Sequence, residues 1–135
     1  EKFGGTSYAA LGAIVAARQS FDAGDLKTAK VQLTWAAENG KDEIRDLARL
    51  RLASVLLDEK AYDEALKQLE AAHAAAFAAR FLELKGDVLA ASGRKPEART
   101  AYKGALDKGG IREGRGGGAG RELLQQKLDN LGEAA

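Results

Sequence analysis

What most constrains this chain is a recurrence of small residues. Ala29, Leu33 and Ala36 stand at steps of four and three. The same pattern returns as Ala65, Leu69 and Ala72, and again as Ala98, Tyr102 and Ala105, at spacings of 36 and 33 residues. Twelve residues before each leading alanine sits another small residue: Ala17, Ala53 and Gly86. Five residues before it stands a turn position: Gly24, Lys60 and Gly93. Self-similarity at roughly 34 residues marks helix–turn–helix units that bury their apolar faces by stacking on one another. In "GDLKTAKVQLTWAAENG", residues 24–40, Ala29 and Ala36 are small because another helix packs over them, and Leu33 fills the space beside.

This is the layout of the tetratricopeptide repeat. The expected fold is all-α, a tetratricopeptide-like right-handed superhelix of three helix-turn-helix repeats plus a C-terminal capping helix. It is expected as one domain over 1–135, with repeats at about 7–39, 42–75 and 76–107, a glycine-rich linker at 108–120 and the cap at 121–131. The helices read as about 7–22, 25–39, 42–58, 62–75, 76–92 and 96–107. Gly24 ends the first and Asp25 caps the second; Asn39-Gly40 ends the second and Asp42 caps the third. Gly93 ends the fifth, and Pro96 suits the first turn of the sixth. Between 62–75 and 76–92, "EAAHAAAFAARF" has no Gly or Pro, so a bend there rests on the repeat spacing alone. The third helix, with Ile44, Leu47, Leu50, Leu52, Val55, Leu56 and Leu57, is apolar on most of its circumference and is expected at the centre of the stack. Leu123, Leu124, Leu128 and Leu131 give the cap one apolar face.

The composition, rich in Ala, Leu, Lys, Glu and Arg with one Pro, favours helix. A net charge of +1 gives no field directed at nucleic acid. With no Cys and His73 as the only histidine, disulfides, thiolate metal sites and multi-histidine metal sites are excluded within one chain. His73, in an alanine run, reads as structural or surface. Asp22, Asp25, Asp58, Asp63 and Glu64 lie near turns, where caps and helix dipoles account for them. "GRGGGAG", residues 114–120, lacks the preceding strand and the following Lys-Ser/Thr of a phosphate loop and reads as a linker; the basic residues around it, Lys108, Arg112, Arg115 and Arg121, read as a solvated loop. Trp35, beside Ala36, is expected in the core. No catalytic residues, metal or cofactor are expected. No window approaches the roughly 20 apolar residues of a membrane span. The chain opens on Glu1 and contains no Met, so a fragment of a longer protein is expected, with whatever precedes Glu1, an anchor included, out of view.

The remaining functional signal is the face that the first helix of each repeat presents. Its expected ligand-facing positions are Leu11, Ile14, Arg18 and Phe21 in the first repeat, Leu47, Leu50, Ser54 and Leu57 in the second, and Arg80, Glu83, Asp87 and Ala90 in the third. Two repeats thus offer a mostly apolar protein-binding groove and the third a charged surface. Lys and Asn are absent where some such domains clamp a C-terminal carboxylate. The apolar positions suit a hydrophobic or helical segment of a partner, or equally a face covered by neighbouring helices.

Four runs, in order, carry a resemblance: "TSYAALGA", "LARLRLASVLL", "LKGDVLAASGRKPEARTAYKGAL" and "LLQQKLDNLG". Between about Thr6 and Leu131 the chain resembles the periplasmic domain of the YfgM-like ancillary SecYEG translocon subunits. The most specific match is Gly86-Asp87, Leu89, Gly93, Ala98-Arg99 and Ala101-Tyr102, with Lys127 to Leu131 in support. The resemblance implies a single-pass protein of the bacterial inner membrane, its tetratricopeptide-like domain facing the periplasm. It implies protein partners, the SecYEG translocon and a membrane-anchored periplasmic prolyl-isomerase-type chaperone, and help for newly exported proteins without catalysis. The glycine-rich segment 109–120 looks longer than the family's link to the last helix. Rival readings are a soluble tetratricopeptide adaptor and a self-associating scaffold.

Overall fold

A computed structural model describes residues 2–109 and 117–132. Among them are seven α-helices and no strand: α1 (Lys2–Asp22), α2 (Leu26–Asn39), α3 (Asp42–Asp58), α4 (Tyr62–Glu70), α5 (Ala78–Ala91), α6 (Lys95–Gly109) and α7 (Gly117–Asn130), with a 3₁₀ turn at Ala75–Phe77 before α5. They form two compact units, Glu1–Ala74 and Ala75–Ala135. Of the linker expected at 108–120, residues 110–116 lie outside the described residues, and Lys108 and Gly109 belong to α6. The last helix begins at Gly117 rather than 121, so four glycine-rich residues counted as linker are helical.

In the first unit α1 pairs with α2, α2 with α3 and α3 with α4. Ala10, Ile14 and Ala17 of α1 are buried, as are Ala29, Leu33 and Ala36 of α2. Alanines at these positions let the two backbones approach closely, and Leu33 fills the gap, worth roughly 2 kcal/mol of apolar burial. α3 buries Ala48, Leu50, Leu52, Ala53, Val55 and Leu56. That many sides are covered because α3 touches α1, α2 and α4. In the second unit α5 pairs with α6 and α6 with α7. Ala98, Ala101, Tyr102 and Ala105 are buried in α6, and Leu124 and Leu131 in and just after α7. Leu128 is half-buried, whereas Leu123, expected on the same face, is exposed.

Eight of the nine repeat positions are buried, and so are Ala17, Ala53 and Gly86. The exception is Ala72, which is exposed and not helical. α4 stops at Glu70, and Ala71 is extended, with φ −68° and ψ 154°. Two side chains of α3 hold the chain there. Asp46 Oδ2 accepts the Ala74 N–H at 2.8 Å, and Arg49 donates to the Ala72 carbonyl at 2.9 Å. The helix expected to 75 is therefore cut short by tertiary capping, with no breaker residue in the sequence.

The three hairpin turns share one geometry. Gly24, Lys60 and Gly93 have φ of 85°, 64° and 87°. Each donates its N–H three residues back, and the following N–H reaches five back: Asp25 to Ser20 O, Ala61 to Leu56 O and Arg94 to Leu89 O, each 2.8 Å. This paired closure satisfies carbonyls that a helix end leaves open, and it requires a left-handed residue. A side chain in that conformation costs roughly 1 kcal/mol. Lys60→Gly is accordingly expected to raise stability by about 0.5–1 kcal/mol, read as a higher urea midpoint; an unchanged or lower midpoint would show that the Lys60 side chain contributes more than its backbone costs.

Start signals were legible at α2, where the Asp25 side chain accepts the Thr28 N–H. Hydrogen bonding from Thr28, its side chain first and its backbone N–H second, holds the Asp25 carboxyl below the usual carboxylate range. Asp42 departs from expectation. The capping position of α3 is Lys41, and Asp42 is the first helical residue, with φ 52°. Its place in the first turn, with Glu43, still suits the helix dipole. Trp35 also departs from expectation, being 41% exposed. It shares a face of α2 with exposed Val31, one turn away, and turns from the stripe of Ala29, Leu33 and Ala36.

Candidate protein-binding cleft

Within the first unit α1 and α3 frame a cleft of about 600 Å³. The α1 wall presents Leu11, Ile14, Val15, Ala17, Arg18, Phe21 and Asp22. The α3 wall presents Leu47, Arg51, Ser54 and Val55, and Leu33 of α2 completes the lining. The α1 residues recur at steps of three and four, so they lie along one helix face over about three turns. Leu11, Val15 and Phe21 are 43%, 56% and 37% exposed, whereas Ile14, Ala17 and Leu33 are buried. Water-facing apolar side chains thus stand over a buried apolar base. Their position follows from the hairpin packing: α1 and α3 both pack on α2 and touch each other, with Ala17 and Ala29 fully or almost fully buried.

Of the eight positions expected to form the protein-binding groove, the cleft brings together Leu11, Ile14, Arg18, Phe21, Leu47 and Ser54. Leu50 is 8% exposed and belongs to the core, and half-buried Leu57 is not part of the lining. Sequence reasoning did not assign Val15, Asp22 and Arg51 to the lining, nor the buried Ala17, Leu33 and Val55. On α3, positions 50 and 51 flank the line joining 47 and 54. Choosing the apolar neighbour selected Leu50, while packing turned Leu50 inward and left Arg51 at the opening.

The charged positions of the third repeat lie in the second unit and serve its own packing. Lys127 Nζ of α7 lies 2.7 Å from Glu83 Oε2 and 3.1 Å from Asp87 Oδ1. The Tyr102 hydroxyl donates to Asp87 Oδ1 at 2.6 Å, and Lys127 Nζ sits 5.9 Å from the Tyr102 ring centre. Burial pushes the Tyr102 phenol well up, and the Asp87 carboxylate adds to the effect. Burial disfavours the Lys127 ammonium, but the bonds it donates to Glu83 and Asp87 outweigh this and hold the charged form. Arg80 rests over the Phe77 ring at 5.3 Å, and Ala90 is half-buried. The two carboxylates are therefore tied to α7 by an internal ion pair.

Among the described residues no three His, Cys, Asp or Glu side chains are placed to hold a metal ion. His73 Nδ1 lies 3.0 Å from the Ala74 carbonyl, in the segment that Asp46 and Arg49 pin. No helix among the described residues is long and apolar enough to cross a membrane.

A family profile described as a tetratricopeptide repeat-like domain matches residues 1–133. The chain is 43% identical over 124 residues to a Neisseria gonorrhoeae protein named ancillary SecYEG translocon subunit, covering 91% of this chain and 57% of that protein. It is 32% identical over 126 residues to the Escherichia coli protein of the same name, covering 93% and 58%. An Aggregatibacter actinomycetemcomitans protein so named is 31% identical over 127 residues, covering 93% and 59%. The chain thus spans somewhat over half the length of these relatives.

Proposed function

The chain belongs to the tetratricopeptide repeat-like domain family, and from that premise we propose that it is the polypeptide-binding domain of an ancillary subunit of the Sec translocon. A fold of this family holds other polypeptides and does no catalysis. The observation that carries the reading is the α1–α3 cleft, where apolar side chains stay open to water over a buried base. A contiguous exposed apolar surface with polar residues at its edge is the usual mark of a docking site. The names of relatives matching over nine-tenths of the chain support the Sec association.

In the finer reading the domain faces the bacterial periplasm, carried by an inner-membrane anchor. There it helps recruit a membrane-anchored prolyl-isomerase-type chaperone or handles newly exported proteins beside SecYEG. The cleft residues Leu11, Ile14, Arg18, Phe21, Leu47 and Ser54 make the contact.

Detergent-solubilised bacterial envelope passed over the immobilised chain is the test. SecYEG subunits or a membrane-anchored periplasmic chaperone are expected among the retained proteins by mass spectrometry. Leu11→Glu should remove most of that signal, and Val31→Glu, on the outer face of α2, should leave it. Retention of neither class would overturn the Sec reading. Retention untouched by Leu11→Glu would overturn the cleft as the docking face.

A further inference from the structure

Eight arginines fall among the residues whose side chains are described, and six of them are engaged. Arg45 lies against Asp46, Arg49 binds the Ala72 carbonyl, Arg80 stacks on Phe77 and Arg94 pairs with Glu97. Arg99 binds the Gly132 carbonyl and Arg121 the Leu106 carbonyl. The two with no hydrogen bond, ion pair or ring contact among the described residues are Arg18 and Arg51, and both line the α1–α3 cleft, one on each wall. Asp22 is the single carboxylate in the lining. It stands one turn beyond Arg18, toward the end of α1, so the rim keeps an excess of one positive charge.

We infer that the cleft selects an amphipathic helical segment of a partner that carries acidic side chains beside its apolar stripe. The inference rests on the cleft being a docking face, as proposed above, and adds the chemistry of its occupant. The α1 wall exposes Leu11, Val15 and Phe21 over about three turns, long enough to receive the i, i+3/i+4, i+7 apolar stripe of a docked helix. Burying that stripe brings the partner's flanks to Arg18 and Arg51. Arg18 and Arg51 stand on opposite walls, and Asp22 offsets only one of their two charges. An acidic flank therefore gains from both, and a basic flank is rejected by both. Charges at such a rim act mainly on discrimination and association rate, and salt weakens them.

The probes are two labelled amphipathic helical peptides with the same leucine stripe, one with glutamates on its flanks and one with lysines in their place. Fluorescence anisotropy with the whole chain should show the glutamate peptide binding about tenfold tighter at low salt. The preference should shrink as salt rises. In the R18E/R51E variant, confirmed folded by circular dichroism, it should invert toward the lysine peptide. Equal binding of both peptides, lost in Leu11→Glu, would overturn the acidic preference and leave the docking cleft standing. Binding of neither peptide, or binding indifferent to Leu11→Glu, would overturn both. If sedimentation shows the chain dimerising in a manner abolished by Leu11→Glu, the occupant is a second copy and the acidic segment is excluded.

Discussion

Asp46→Ala should be the most damaging single substitution in the first unit, costing about 3 kcal/mol. Asp46 is the one charged residue buried completely among the described residues. Its Oδ2 accepts the Ala74 N–H at 2.8 Å, and its Oδ1 lies 3.6 Å from Arg45 Nε without a hydrogen bond between them. Truncation removes the acceptor for an N–H in the extended segment after α4. It also leaves the Arg45 guanidinium without its counter-charge and opens space beside α3. Asp46→Asn keeps the volume and a carbonyl oxygen that can still accept from Ala74, so it should cost only about 1 kcal/mol. Guanidinium unfolding gives the magnitudes, and amide exchange at 71–74 gives the location. If Asp46→Ala unfolded no more easily than Asp58→Ala, an exposed substitution on the same helix, the pinning of this segment by α3 would be wrong.

The second unit has a comparable weak point at Gly86. A Cβ built there would lie 2.5 Å from Cδ1 and Cε1 of Tyr102. The ring cannot swing away freely, because its hydroxyl is bonded to Asp87 at 2.6 Å and Lys127 sits near its face. Gly86→Ala should therefore cost about 2 kcal/mol, although alanine is the better helix former by about 1 kcal/mol. The clash has a named partner, so the effect should depend on it. Tyr102→Ala alone should be destabilising by about 3 kcal/mol through the cavity it leaves. In that background Gly86→Ala should cost nothing or become favourable, an interaction of 1 kcal/mol or more between the two sites. Additive costs would mean that helix α5 has room at Gly86 which the close packing of Tyr102 denies.

Most of the fold was legible because its main determinants are local and periodic. The small residues at 29, 36, 65, 98 and 105 mark helix contacts wherever they recur, and Gly24 and Gly93 mark turns by their own backbone freedom. Lys60 was legible only through the spacing, since nothing about lysine announces a left-handed turn. Where the determinants are distant, the sequence was silent. α4 ends at Glu70 because Asp46 and Arg49, more than twenty residues away, bind the chain beyond it. Ala72 is a repeat position by spacing and an exposed loop residue in fact. Trp35 illustrates a different limit. A large apolar residue next to a buried one in sequence lies about 100° away on a helix, so size and neighbourhood do not decide burial.

The cleft was half legible for the same reason. On α1 the apolar face is broad, so Leu11, Ile14, Arg18 and Phe21 were found from register. On α3 nearly every side is apolar, and the pattern gives no way to separate a wall from the core. Leu50 went inward and Arg51 outward. The charged positions 83 and 87 were expected to face a ligand; their partner Lys127 is on a helix some forty residues on, so their tie to α7 was not legible.

The most direct measurement is site-specific photocrosslinking at two aromatic positions of similar exposure, Phe21 in the cleft at 37% and Trp35 on the outer face of α2 at 41%. A photoreactive phenylalanine analogue at Phe21 is expected to give discrete adducts with envelope proteins, lost when Leu11→Glu is added, and the same analogue at Trp35 is expected to give none. Adducts at Trp35 with a silent Phe21 would place the docking surface elsewhere and contradict the assignment of the cleft.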